Sequence, residues 1–181
     1  MKILILIFFI FFTFANSENS EQKNKLNKLF NQLEKVDNSK TAYLLEKEIW
    51  SLWDEHPNDN KLTERLKFGA ELMGYGSYDY ALKVFDNIIL TDPNWSEAWN
   101  KRATLFFLMK KYTQSLNDID IVLKIESRHF GALSGQARIY IKLKEYEKAI
   151  ASLEKALRFY PSFRSGGLIP EIEKLIKEES I

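Results

Sequence analysis

Side chains that commonly carry out catalysis or bind metals are few in this sequence. Its 181 residues include two histidines, His56 and His129, and no cysteine, which excludes disulfides, thiolate metal sites and a thiol nucleophile. Neither histidine has a second candidate ligand at a spacing typical of a metal site. Nucleophile-elbow, zinc-helix and glycine-rich dinucleotide motifs do not occur. We therefore predict a protein that is not an enzyme and has no bound metal or cofactor, with both histidines in turns between helices.

Composition and charge narrow the class of protein further. The 26 basic side chains nearly balance the 25 acidic ones, and a formal net charge of +1 provides no general attraction to nucleic acid or to an anionic membrane. With 45% hydrophobic residues, the chain has the composition of a globular protein, and its length is that of one domain. We therefore predict no nucleic acid partner.

The N-terminal residues have the three parts of a secretory signal peptide. A basic start at Lys2 is followed by an apolar run over 3–12 and by small residues before a cleavage site after Ala15. A helix needs about 20 apolar residues to span a bilayer, so this run favours cleavage over the alternative of an uncleaved anchor. We predict a signal peptide over 1–15, a linker over 16–23, and an exported protein without stable membrane insertion. The absence of cysteine favours a bacterial periplasm as its location.

Residues 62–163 repeat with a period of 34 residues. Pro93 and Pro161 lie two periods apart, and registers that begin at Leu62, Ser96 and Phe130 align the intervening sequence. A tyrosine occupies position 17 of each register: Tyr78, Tyr112 and Tyr146. Small residues recur three positions later: Ala81, Ser115 and Ala149. Apolar residues at three- and four-residue steps predict two amphipathic helices in each register, which pack closely where the residues are small.

This pattern resembles the tetratricopeptide repeat (TPR), a helix-turn-helix unit of the same length. The resemblance implies an all-α, right-handed α-solenoid, in which stacked units bury the apolar faces that a single hairpin leaves exposed. A closed helical bundle is the alternative, since it uses the same amphipathic helices. We predict three clear repeats over 62–95, 96–129 and 130–163, preceded by a degenerate helix pair over 24–61 and followed by a capping helix over 164–181. The chain is also similar to small exported bacterial TPR proteins of unassigned role.

In this family the first helix of each repeat lines a concave groove, so the resemblance implies a groove that binds a partner. It places seven side chains of this sequence on that surface: Asn100, Thr104, Phe107, Ser134, Arg138, Ile141 and Lys142. Asn100, Arg138 and Lys142 are predicted to contact a partner's carbonyls or carboxylates. Phe107 and Ile141 are predicted to anchor its apolar groups. We predict a non-catalytic, exported adaptor or scaffold that binds a peptide or helix of a protein partner. The alternative is a carrier of a small ligand or lipid at the apolar end of the groove, around Met73, Phe107 and Leu108.

Local features carry more specific expectations. Asn94, followed by Glu97, has the pattern of a helix N-cap with its capping partner. Phe106 falls at a position expected in the core, and the tryptophans are expected to pack in the core or between repeats. Gly135 lies inside a predicted helix, where glycine costs about 0.5–1 kcal/mol relative to alanine. Two alternative interpretations account for this glycine: close packing of helices against it, or an open floor of the groove.

Overall fold

The computed structural model describes residues 20–179, and every regular element in this range is helical. The predicted signal peptide, 1–15, lies outside the described residues. Residues 20–23 belong to the first helix, α1 (20–33), rather than to the predicted linker. The side-chain amide of Gln22 contributes to this difference, because it donates hydrogen bonds to the carbonyls of Leu52 and Glu55 at 2.6 and 2.8 Å. These bonds hold the beginning of α1 against the end of the next helix.

Three helix pairs match the three registers of the repeat. They are α3 (Asn60–Gly74) with α4 (Tyr78–Thr91), α5 (Ser96–Leu108) with α6 (Tyr112–Ile125), and α7 (Phe130–Lys142) with α8 (Tyr146–Phe159). They are preceded by α2 (Ser39–Asp54) and followed by a short 3₁₀ helix (Arg164–Leu168) and α9 (Ile169–Glu179). Within 20–179, no helix is long and apolar enough to cross a membrane. The predicted all-α solenoid of helix-turn-helix repeats is confirmed.

The three pairs stack in chain order instead of closing into a bundle. Helix α4 contacts α5, and α6 contacts α7, while the first helices of the pairs also contact one another directly, α3 with α5 and α5 with α7. These direct contacts place α3, α5 and α7 on the inner side of the curve. The faces of these helices that point away from α4, α6 and α8 form the concave side. At the far end, Ile172 of α9 is buried against Ala149 and Leu153 of α8. Helix α9 therefore covers the last repeat, as expected of a capping helix.

The turn inside each pair follows the sequence period. The three repeated tyrosines are the first residues of α4, α6 and α8. Two residues before each tyrosine, the backbone is left-handed, with φ of 76, 59 and 60°, at Gly76, Lys110 and Lys144. A left-handed residue closes the end of the preceding helix. Across the second pair, the hydroxyl of Ser115 donates to the carbonyl of Ala103 at 2.7 Å, so the small residues bring the two helices together as predicted.

The N-terminal helix pair, α1 with α2, forms as predicted but does not stack in front of α3 as a leading repeat would. Its apolar residues, including Phe30 and Ile49, share a core with Phe130 and Leu133 of α7 and with Tyr160 after α8. Helix α2 also contacts α5. The pair therefore packs across the concave side of the second and third repeats.

The free face of α3 explains this placement. Two repeat positions that stack on the preceding pair are buried and apolar in α5 and α7: Ala98, Leu105, Ala132 and Ile139. At the same two positions α3 carries Glu64 and Glu71, and both are exposed. A helix stacked on this face would bury two carboxylates, which is costly unless each gains a partner. The solenoid therefore begins with a polar face, and the apolar faces of α1 and α2 are covered elsewhere.

Two local expectations are wrong. The N-cap of α5 is Trp95 rather than Asn94, and no side chain caps this helix. Asn94 is held in the preceding turn, where its backbone N–H donates to the Asp92 carboxylate at 2.9 Å. Phe106 is half-buried rather than part of the core. The guanidinium of Arg102 lies over its ring, 5.6 Å from the centroid, because this repeat position faces the outer seam between two pairs.

Candidate functional site

Aromatic side chains hold the N-terminal helix pair against the concave side. Trp53 of α2 stacks on the imidazole of His129, with ring centroids 3.9 Å apart and planes 8° from parallel. Trp50 lies edge-on to Phe130 at 5.5 Å and covers Gly131. A Cβ at residue 131 would lie 2.8 Å from Cζ2 of Trp50, so any side chain there would displace this ring. Glycine at 131 therefore leaves the space that Trp50 occupies, and both tryptophans pack between elements as predicted.

A buried polar network lies beneath Trp53. His129 is fully buried, and its Nδ1 accepts a hydrogen bond from the backbone N–H of Ala132 at 3.1 Å, which caps α7. These partners place the imidazole proton on Nε2, which donates to the Glu97 carboxylate at 3.0 Å. His129 lies in the turn between repeats, as expected. Its function there is structural, because it caps a helix and orients a buried acid.

The charge of Glu97 is compensated by Lys101 and shared with the N-terminal helix pair. The Lys101 ammonium lies 2.9 Å from the carboxylate of Glu97 and 2.9 Å from that of Asp54, the last residue of α2. Burial raises the pKa of Glu97, but the hydrogen bond from His129 and the charge of Lys101 outweigh burial, so that its pKa is lowered. This network therefore ties α2 to α5 through an ionised, fully buried carboxylate.

A cavity of about 310 Å³ opens on the concave side between α5 and α7, and we call it the concave cavity. Small residues make up its floor: Ala103, Ser115, Ala132 and Gly135. Aromatic rings form its walls: Trp50, Phe107 and Phe163. Trp50 belongs to α2 and Phe163 to the segment after α8. Two of the three aromatic walls thus come from elements other than the inner helices of the repeats.

The structure brings most of the predicted groove residues together. Five of the seven line the concave cavity: Asn100, Thr104, Phe107, Ser134 and Arg138. Ile141 instead packs against the C-terminal core around Ala137 and Ile172. Lys142 is exposed at the end of α7 and does not line the cavity. Ile141 lies two helical turns beyond Ser134, about 10 Å along the axis, which carries both residues past the cavity.

Most polar side chains at the concave cavity already have partners. The Asn100 amide donates to the buried carboxylate of the network at 3.0 Å, and the Thr104 hydroxyl donates to the Asn100 carbonyl at 3.0 Å. The Ser134 hydroxyl donates to that of Ser165 at 3.0 Å. Arg138 is exposed and forms no hydrogen bond or ion pair with any residue of 20–179. Its guanidinium is therefore available to a ligand. The Asn100 amide, which was predicted to contact a partner, instead donates to a group inside the protein.

Two aromatic residues that shape the concave cavity could not be assigned to it from the sequence: Trp50 and Phe163. The position of Gly131 in the first turn of α7 is consistent with a close approach of another element, but it does not identify Trp50 as the residue that approaches. Phe163 is the last residue of the third register, at the position equivalent to Trp95 and His129, and this position does not predict which cavity its ring borders. These contacts depend on how separate elements meet.

Several other titratable groups in residues 20–179 form pairs at turns and between helix pairs. His56 lies 2.9 Å from Asp92 and lowers the pKa of that carboxyl through a hydrogen bond. Arg102 bridges Asp86 and Asp118, with 2.7 Å to each. No group of three or more histidine or acidic side chains in this range is arranged to hold a metal ion. The concave cavity is therefore the candidate functional site.

The stacked helix pairs and the inner surface they enclose define an α-solenoid repeat protein. Residues 74–156 match the family described as anaphase-promoting complex, cyclosome, subunit 3. A TPR repeat-containing protein of Rhizobium etli is 33% identical over 136 residues, which cover 75% of this chain. The matched region spans 66% of that relative's length. The chain belongs to the tetratricopeptide repeat family.

Solved structures of the same fold include two that contain peptides. The first TPR of Spaghetti (RPAP3), bound to an HSP90 peptide, has a TM-score of 0.61 and 19% identity, covering 65% of this chain and 94% of that one. The Yersinia enterocolitica type III secretion chaperone SycD, in complex with a peptide of the translocator YopD, has a TM-score of 0.61 and 14% identity. The match covers 70% of this chain and all of SycD. At these identities the likeness shows the fold.

Proposed function

We propose that this protein is a non-catalytic adaptor that binds a peptide segment of a partner protein in the concave cavity. The observation that carries the proposal is an open cavity with aromatic walls beside Arg138, a cation without a partner in residues 20–179. Exposed apolar surface next to an unpaired charge contributes little to the stability of the chain itself. Such a combination is typical of a binding site.

The fold supports the same proposal. Solenoids present extended concave surfaces to their partners. The two structural neighbours described above hold peptides, one from HSP90 and one from a translocator. A protein or peptide partner is therefore the class that we propose, with the inner helices α5 and α7 supplying the contacts.

Site-specific photo-crosslinking tests this function. The photo-crosslinker p-benzoylphenylalanine is introduced in place of Thr104, which is exposed at the cavity, or in place of Tyr75, which is 84% exposed far from it. After irradiation in extracts of the native host, we expect a protein adduct from position 104 that disappears when Arg138→Glu is added. Equal adducts from both positions, or none from position 104, would contradict the proposal.

Export to a bacterial periplasm is part of the proposal. Its support is the basic start, apolar run and small residues before the cleavage site in residues 1–15. N-terminal sequencing of the protein recovered from fractionated host cells is expected to find a chain that begins after Ala15. An intact Met1 in the cytoplasmic fraction would overturn this part and leave the binding site unaffected.

A small-ligand carrier is the second candidate function. A volume of about 310 Å³ lies at the lower end of the range for small-molecule sites. Met73 and Leu108, which were predicted to form the apolar end, do not line the concave cavity. Native mass spectrometry of the protein purified from its host separates the two functions. A stoichiometric small molecule that is lost on Phe107→Ala would favour the carrier.

A further inference from the structure

Gly135 is a residue of the concave cavity whose identity packing does not explain. A Cβ at this position would meet only Ile119 Cδ1, at 3.7 Å, which is an ordinary van der Waals contact. Gly131, one turn earlier, differs because Trp50 occupies the space beside it. Glycine within a helix is destabilising relative to alanine. The close-packing interpretation is therefore wrong for Gly135, and what this glycine provides is open space at the floor of the cavity.

The concave cavity is small. Its volume of about 310 Å³ lies at the lower end of the range for small-molecule sites, which suits one large side chain of a partner. The walls of Trp50, Phe107 and Phe163 favour an aromatic side chain, which makes edge and offset contacts with such rings.

The charge at the cavity indicates what lies next to that side chain. Asn100, Thr104 and Ser134 use their donor groups within the protein. Arg138 does not, and Lys142, one turn further along α7, is also exposed without a hydrogen bond or ion pair to residues 20–179. A guanidinium binds a carboxylate through charge-assisted hydrogen bonds. The complementary ligand is thus apolar in the cavity and anionic at its edge.

Building on the proposed function, we infer that the concave cavity receives one aromatic side chain of an extended peptide, and that a carboxylate within two residues of it pairs with Arg138. This names the kind of peptide that the adaptor binds. It also assigns Gly135 a role in recognition, because any larger residue reduces the space for the aromatic ring.

Fluorescence polarisation with defined peptides tests this inference on the purified protein. The probe is a labelled ten-residue peptide of glycine and serine that carries one phenylalanine and, two positions later, one glutamate. Replacing the phenylalanine by alanine, or the glutamate by glutamine, is expected to weaken binding at least tenfold. Arg138→Gln is expected to weaken binding of the glutamate peptide and to leave that of the glutamine peptide unchanged.

Gly135→Ala is the decisive protein variant, because its effects on stability and binding have opposite signs. It is expected to raise Tm or leave it unchanged, and to lower the affinity for the peptide at least tenfold. Gly74→Ala is the matched control, since a Cβ at residue 74 meets open space away from the cavity. It is expected to leave peptide affinity unchanged. Unchanged affinity in Gly135→Ala would overturn the inference.

Two further outcomes would also overturn the inference, and they distinguish it from the proposed function. If the phenylalanine-glutamate peptide binds no better than a glycine-serine peptide, the inference fails, while an Arg138-dependent adduct at position 104 would keep the adaptor function. If 3-phenylpropionate binds as tightly as the peptide, the concave cavity is a small-ligand site. In that case the adduct at position 104 is expected to be absent, and both proposals fail together.

Discussion

Gly131 and Gly135 provide a matched test of how the N-terminal helix pair is docked. Both lie in α7, one turn apart, and each is replaced by alanine in a separate variant. The intrinsic gain in helix stability, about 0.5–1 kcal/mol in a helix interior, applies to Gly135 and is smaller at Gly131, the second residue of α7, so it adds to the difference between the variants. At residue 131 the new methyl group would lie 2.8 Å from Cζ2 of Trp50, whereas at residue 135 it would lie 3.7 Å from Ile119.

The collision at residue 131 is costly because Trp50 is held on several sides. Its ring packs edge-on against Trp53 at 5.3 Å and Phe130 at 5.5 Å, and the Lys101 ammonium lies 5.9 Å from its centroid. Overpacking of such a site typically costs about 1–3 kcal/mol. We therefore expect Gly131→Ala to be less stable than Gly135→Ala by about 1–3 kcal/mol, or roughly 2–12 °C in Tm.

Urea and thermal unfolding, followed by far-UV circular dichroism and by tryptophan fluorescence, measure this difference. Fluorescence of the docked tryptophans also reports whether the N-terminal pair detaches before the repeats unfold. Equal stability of the two variants, or a more stable Gly131→Ala, would show that Trp50 does not cover residue 131. That result would refute the docking of α2 on the concave side.

Three further predictions concern single side chains. Phe130→Ala is expected to cost about 3–5 kcal/mol in urea unfolding because its ring is fully buried, and Phe106→Ala less because its ring is half-buried; equal losses would contradict this. The lowered pKa of Glu97 contributes stability that is present above its ordinary value of 4.5 and is lost as pH falls through the folded-state pKa. In Glu97→Gln, which keeps an acceptor for His129, acid titration of unfolding should show a smaller loss than in the unmodified protein. Arg138→Ala is expected to change the free energy of unfolding by no more than about 0.5 kcal/mol, and an early melt would reveal a partner for its guanidinium.

The repeats could be predicted from the sequence because their signals are local. The tyrosines at 78, 112 and 146 begin α4, α6 and α8, and the small residues three positions later bring the paired helices together. A fixed period places equivalent residues on equivalent faces, so five predicted groove residues line one cavity. Ile141 and Lys142 lie outside this cavity because a helical face continues beyond the part of it that borders the cavity.

The sequence also contained signals whose meaning depended on distant residues. Glu64 and Glu71 stand where the later repeats have buried apolar residues, and they indicate that nothing stacks on α3. The glycine at 131 indicates a close approach to α7, and the glycine at 135 indicates either packing or open space. Only the position of Trp50 over residue 131 and the free volume beside residue 135 separate these interpretations.

The all-α class, the three helix pairs and the inner helices of the repeats are predictable from the sequence, because the helical period and the 34-residue period are both patterns of spacing along the chain. Long-range packing places α2 so that Trp50 borders the concave cavity, brings Phe163 of the segment after α8 to the same cavity, and buries His129 as the cap of α7. The apolar stripe of a helix specifies which residues must be covered but not which surface covers them. That choice follows from competition among all the apolar and charged faces of the folded chain.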